Sequence, residues 1–316
     1  MTDMTERQLI GTGPWLKFLW KGHITNWLWR DKLKRRLIRN NAFGEYKMTY
    51  LQKYADFAKS LKPSADASYE RSSSDDEKIF TLWFQGEDSA PDIVKKCFQT
   101  IRERYGDRFV VLTDKNLHEY IELPSYIMQK WQEKKIVPAN FSDLVRIELL
   151  YQHGGYWFDA TDFLTGMIPR DIVDSSFFMY VTSDVYFPHM FVQTCFMRAM
   201  KKDPLMGMWR TLVHEYWKNE EMACEYFLVH MLLKLLVANN SNARMLFEKM
   251  PKKTMDATHV LWNKIGNEPF DENKYKEMCS KAFFQKCSYK PQKRGVSRLI
   301  AGSMADVVVN GRAKGD

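Results

Sequence analysis

Asp143 and Arg146 lie three residues apart in "NFSDLVRIELLYQHGG" (140–155), and Asp159 and Asp162 lie three apart in "HGGYWFDATD" (153–162). In a helix, residues three apart share a face, so Asp143 and Arg146 form either a local salt bridge or a joint binding pair. As a binding pair, the carboxylate accepts hydrogen bonds from sugar hydroxyls while the guanidinium binds a sugar or phosphate oxygen. Asp159 follows Tyr156-Trp157-Phe158 and is expected at the carboxyl end of a strand, where open α/β sheets bind their ligands. A carboxylate there either simply ends the strand or ligates Mg²⁺ or Mn²⁺ together with substrate phosphates. Asp162 falls past the expected strand end, so it points into the same site or to solvent.

These side chains need elements to hold them. "IFTLWFQG" (79–86) is a short apolar run closed by glycine, a buried strand by pattern. "APDIVKKCFQTIRERYG" (90–106) has proline near its start, helical periodicity and a terminal glycine. "RFVVLTD" (108–114) is again a strand ending on an acid. Strand, helix and strand with short connections describe a parallel sheet flanked by helices. The 140–155 stretch predicts a helix capped by Asn140 or Ser142 and ended by a left-handed Gly154, with Leu144, Val145, Ile147 and Leu149 serving the core.

Next, "YWFDATDFL" (156–164) predicts a strand running into a loop, "SSFFMYVTS" (175–183) a strand, and "PHMFVQTCFMRAM" (188–200) a strand leading into a helix. Beyond Asp203 the pattern is mostly helical, in "PLMGMWRTLVHEYWKN" (204–219) and "CEYFLVHMLLKLLVANN" (224–240). The expected organisation is a helical extension over 1–61, a Ser/Asp-rich linker over 62–78, a main domain over 79–290 and a tail over 291–316.

"SDLVRIELLYQHGGYWFDATD" resembles the S-D-x-x-R…L-Y-x-x-G-G-x-x-x-D signature of sugar-nucleotide glycosyltransferases of the GT-A fold. The signature is shared by mannosyltransferases and large glucosylating toxins, and the chain is most similar to the bacterial capsular polysaccharide synthesis proteins. Trp83, Gln85, Gly86, Pro91, Val94 and Cys97 match that group's first strand and following helix, and "EYFLVH" matches its later aromatic segment. The likeness covers roughly Ile79 to His230, with a weaker continuation to about Lys290. It implies a GT-A-like, Rossmann-like mixed sheet flanked by helices, with an N-terminal helical extension and helical C-terminal additions.

The resemblance also implies roles. Asp159 corresponds to the first acid of a D-x-D metal motif, and Asp143 with Arg146 to the pair holding the donor sugar. Trp83 and Gln85 match the region that cradles the nucleotide base, and Glu225 and His230 a segment approaching the diphosphate or acceptor. Thr161 stands where a strict D-x-D has its second acid, so Asp162, a water held by Thr161, or a later residue is left as the second metal ligand. Glu225 stands where aspartate is more usual. The implied activity is retaining, Mn²⁺- or Mg²⁺-dependent transfer of a hexosyl group from a UDP- or GDP-hexose to a glycan or lipid-linked glycan acceptor in bacterial surface polysaccharide synthesis. A non-catalytic sugar-nucleotide or glycan-binding protein on the same fold, or a membrane-surface scaffold, are the alternatives.

Composition narrows the setting. The 316 residues carry a net charge of +8 and five scattered cysteines, whose spacing suits reduced thiols rather than zinc sites. No run of eighteen apolar residues occurs, and the first residues lack a secretory pattern, so a cytoplasmic location is expected. Much of the positive charge lies in residues 15–39, where Trp and Leu recur at helical spacing beside Lys and Arg. That pattern suits the anionic inner face of a membrane, with a helix packed on the body as the alternative. Nucleic acid is not expected, since no binding module accompanies the basic run. His153 reads as a helix-end residue, and Glu225 and His230 read equally well as parts of a packed helix.

Overall fold

A computed structural model describes residues 47–64, 76–182, 191–290 and 295–311. The basic stretch 15–39 and most of the expected linker (65–75) lie outside the described residues. The end of the expected N-terminal extension packs on the main body. Leu51 and Tyr54, and Ala58 of helix Ala55–Ser60 (α1), are buried in the principal core. The Asn240 side chain donates to the Ala58 and Leu61 carbonyls, at 2.9 and 2.8 Å, which fixes the exit of α1.

The expected strand–helix–strand unit follows. Ile79–Leu82 (β1) is buried throughout, Asp92–Tyr105 (α2) turns Val94, Cys97, Phe98 and Ile101 inward, and Phe109–Leu112 (β2) pairs with β1 in parallel. Ser125–Gln132 (α3) leads to Pro138–His153 (α4). Helix α4 is buried on nearly every face, from Phe141 and Leu144 to Leu149 and Leu150, so it runs through the core rather than along the surface. It starts earlier than the expected caps at Asn140 or Ser142. Pro138 opens it with a preset φ and no N–H to satisfy, and Val137 precedes it without a side-chain cap. Asn140 instead donates to the Tyr226 carbonyl at 3.1 Å.

Gly154 and Gly155 then reverse the chain at positive φ, +71° and +91°. A Cβ on Gly155 would stand 2.2 Å from the Lys78 carbonyl oxygen, and one on Gly154 would stand 2.5 Å from the Lys201 nitrogen. Only glycine fits both the backbone conformation and the approach of the neighbouring chain.

Gly155–Phe158 (β3) pairs in parallel with β1. The strand expected at the start of 156–164 ends at Phe158, but the loop expected after it is short, and Asp162–Leu164 (β4) forms a strand of a second, two-stranded sheet. Phe177–Val181 (β5) and Val192–Ala199 (β6) complete the main mixed sheet in the order β2-β1-β3-β6-β5, with β6 antiparallel to both neighbours. The helix expected at the end of 188–200 is absent. Every residue from Thr194 to Ala199 is buried, and Phe196 to Ala199 pair with β3.

Leu228–Asn239 (α6) packs on β6, and Pro204–Asn219 (α5) and Ser241–Lys249 (α7) pack on α6. Asp203 accepts the Met206 N–H at 2.9 Å and caps α5. Glu272–Lys281 (α8) precedes Phe284–Lys286 (β7), the antiparallel partner of β4. Part of the expected tail is also structured: Met304–Val309 (α9) buries all six residues, several of them in a second core with Cys97, Phe163, Trp262 and Cys287. No helix among the described residues is long and apolar enough to cross a membrane.

Candidate active site

The parallel strands β1 and β3 end beside each other, and past their carboxyl ends lies a cavity of about 320 Å³. Strand β1 delivers Trp83 to it, α4 delivers Ser142, Asp143 and Arg146, and β3 delivers Trp157 and Asp159. Residues two apart in a strand share a face. Trp157 therefore points the same way as Asp159, and its indole N–H donates to Asp159 Oδ1 at 3.0 Å.

Arg146 ties helix to sheet. Its Nη1 donates to the Thr194 carbonyl of β6 at 2.7 Å, and its Nη2 stands 3.2 Å from Asp159 Oδ1. Ser142 Oγ accepts from the same Nη2 at 3.1 Å, Asp143 Oδ1 lies 3.5 Å from Nη1, and the guanidinium carbon sits 4.9 Å from the Trp157 ring centre. The other oxygen of Asp159 accepts from Lys286 Nζ at 2.6 Å. One carboxylate thus holds two cations, one from α4 and one from β7.

Asp162 lies behind this arrangement. It is fully buried, and its Oδ2 accepts the Asp159 backbone N–H at 3.1 Å. Its Oδ1 is 3.3 Å from Lys286 Nζ, an ion-pair contact without hydrogen-bond alignment. Asp162 and Lys286 are direct cross-strand partners in the β4–β7 ladder, a placement that favours opposite charges.

The electrostatics separate the three acids. Burial pushes the Asp143 carboxyl up to about 7, against the pull of Arg146 and with repulsion from Asp159 adding to the rise. Burial also pushes Asp162 up to about 7, against Lys286 and again with Asp159 adding. Burial works against charge on Asp159 as well, but Lys286 and Arg146 outweigh it and hold this carboxyl below its ordinary range. Lys286 and Arg146 are raised above their ordinary values in spite of burial, because Asp159 and the second acid beside each favour the cation. His230 and His259, which also line the cavity, are pushed down to about 3 and about 4, chiefly by burial and then by Arg146 and Lys286 respectively. Both imidazoles are therefore neutral near pH 7.

From residue 31 to residue 304 the chain matches the family described as capsular polysaccharide synthesis protein. The chain belongs to that family. No curated protein matches it.

In this member of the capsular polysaccharide synthesis family, the structure gathers Trp83, Asp143, Arg146, Asp159, Thr161 and His230 around one cavity. The Trp83 indole N–H is buried there without an acceptor among the described residues. Two expected base- or diphosphate-binding residues stand elsewhere. Gln85 is exposed past the β1 end and does not line the cavity, because it lies in the turn that the Gly86 N–H closes on the Trp83 carbonyl at 3.0 Å. Glu225 precedes α6 and faces away, pairing with the buried Lys47 ammonium and accepting the Tyr226 N–H at 2.8 Å.

The expected metal ligands also part company. Thr161 lines the cavity, but Asp162 is buried behind Asp159 and does not. Both Asp159 oxygens are engaged by cations, and no group of three or more His, Cys, Asp or Glu side chains among the described residues could hold a metal ion. As arranged, these donors do not fit a divalent cation. Sequence reading missed Lys286, His259, Tyr226 and Tyr289, all of which reach the cavity. Lys286 had one local signal, a lysine inside the apolar run "AFFQKCSY" (282–289), but nothing in that run names Asp159 as its partner.

Proposed function

We propose that this protein transfers a hexosyl group from a nucleotide diphosphate sugar to a glycan or lipid-linked glycan acceptor during capsular polysaccharide synthesis. The observation that supports it best is the pair of cations, Arg146 and Lys286, fixed on Asp159 in a cavity at the carboxyl ends of parallel strands. Anionic ligands suit such a place, and a departing diphosphate needs its growing charge met by groups already in position.

In this reading the diphosphate lies against Arg146 and Lys286, and Asp143 accepts hydrogen bonds from the donor sugar. The Trp83 indole and its edge-to-face neighbour Tyr289, with ring centres 5.4 Å apart, flank the base. Tyr226 is 62% exposed at the rim and offers a flat face to an acceptor sugar. The bond between the anomeric carbon and the β-phosphate oxygen breaks, and its electron pair leaves with the nucleoside diphosphate. The acceptor hydroxyl oxygen bonds to that carbon from the same face, and its proton passes to the departing phosphate oxygen. This retaining route asks for no protein base, which agrees with two imidazoles held neutral and poorly basic. The basic stretch 15–39 would bring the enzyme to an anionic membrane surface carrying a lipid-linked acceptor.

A thermal-shift panel of UDP- and GDP-hexoses tests the reading. A matching donor at saturating concentration should raise Tm by roughly 4–8 °C. No shift with any nucleotide sugar would remove the basis for glycosyl transfer.

A further inference from the structure

We propose that Lys286 takes the place of a divalent cation at the donor diphosphate, so that this protein binds its nucleotide without metal. The inference rests on the proposed glycosyl transfer and specifies how its diphosphate is held.

Three observations carry it. First, the ammonium sits where a metal would have to sit. A Mg²⁺ ion bound to Asp159 would stand about 2.1 Å from a carboxylate oxygen. One of those oxygens already has Lys286 Nζ at 2.6 Å, and the other has Arg146 Nη2 at 3.2 Å. A further double positive charge would be pressed against two fixed cations.

Second, the second acid that would stabilise such an ion is not available. Thr161 offers only a neutral hydroxyl to the cavity. Asp162 is fully buried behind the turn, with one oxygen on the Asp159 N–H and the other 3.3 Å from the same ammonium.

Third, Lys286 is positioned by built-in contacts and is not a wandering surface chain. The β4–β7 register pairs Asp162 with Lys286 and Phe163 with Gln285. The Gln285 side chain is clamped between the Leu261 N–H at 2.9 Å and the Ala257 carbonyl at 2.8 Å. The Cys287 N–H donates to the Thr161 carbonyl at 2.8 Å, closing the far side. The lysine side chain is 20% exposed and lines the cavity. It can therefore meet a phosphate oxygen while still held by Asp159.

The test is titration calorimetry of the full chain with UDP and with GDP, in EDTA and in excess Mn²⁺. The expected result is binding of one nucleotide in EDTA, with Mn²⁺ changing its Kd by no more than about threefold. Lys286→Gln should weaken that binding by about 30-fold or more, which corresponds to about 2 kcal/mol, and Lys286→Arg should restore most of it. Binding that appears only with Mn²⁺ overturns the inference and leaves the proposed transfer standing. A folded Lys286→Gln protein that binds in EDTA as tightly as the wild type also overturns it. If Lys286→Gln does not fold, the wild-type comparison of EDTA with Mn²⁺ decides alone. No binding of either nucleotide in either condition overturns this inference and the proposed function together.

Discussion

Lys286 Nζ and Asp159 Oδ2 are 127 residues apart in sequence and 2.6 Å apart in space. The contact joins the turn after β3 to the last strand of the second sheet, and it makes Asp159 the hinge of the site's charge. Without this lysine, Asp159 would be a strand-end acid with Arg146 on one side. With it, the carboxylate becomes a frame that sets two cations at a fixed separation. In the proposed metal-free site, Asp159 positions positive side chains in place of the metal ligation first expected of it.

Asp159→Asn should leave the fold intact, since the amide oxygen can still accept from Trp157 or Lys286. It removes the charge that orients both cations, so kcat/KM for transfer should fall by about 100-fold or more. Steady-state kinetics with the identified donor, alongside a circular dichroism spectrum, make the comparison. Wild-type activity in this variant would show that the carboxylate is only a strand terminus.

Donor affinity should depend on pH through Asp143 and Asp162, both pushed up to about 7 in the free protein. Bringing an anionic diphosphate beside them favours their protonated forms, so binding is coupled to proton uptake. Affinity is then highest below pH 7 and declines as pH rises through that value, by about tenfold from pH 6 to pH 8. A nucleotide sugar keeps both phosphate charges over this range, so the slope reports the protein. Asp162→Asn should make the slope shallower, as calorimetry at several pH values would reveal. A flat wild-type profile would rule out the coupling.

Gly155→Ala should destabilise by about 3 kcal/mol or more, because a Cβ would lie 2.2 Å from the Lys78 carbonyl at a φ of +91°. Denaturant unfolding measures the loss. A change below about 0.5 kcal/mol would mean that β1 and β3 separate easily at this point.

Glu225→Ala should behave as a stability variant. It strips a carboxylate from Lys47, which is buried to 1% exposure, so a loss of about 3 kcal/mol in unfolding free energy is expected. Kinetic constants of the folded fraction should stay within about twofold of wild type, since Glu225 does not line the cavity. A selective fall in kcat with unchanged Tm would return Glu225 to the site.

The local pieces of this protein are legible in the order of its residues. The three-residue spacing of Asp143 and Arg146 put both on one helix face, and Gly154 ended that helix, although its start lies at Pro138, ahead of the expected caps. The paired glycines and the apolar run to Phe158 placed Asp159 at a strand's carboxyl end. Each of these follows from backbone conformation and periodicity over a few residues, which neighbouring side chains dictate. The rest depends on register between distant segments, which folding alone sets. Ending β3 at Phe158 and restarting at Asp162 turned Asp162 inward, and pairing β4 with β7 brought Lys286 beside both acids. The start of α6 at Leu228 sent Glu225 toward Lys47, and the buried ladder between β3 and β6 made a strand of a segment expected to end as helix. A one-residue slip in the β4–β7 pairing would turn Lys286 to the opposite face, and no local pattern in either strand excludes that slip.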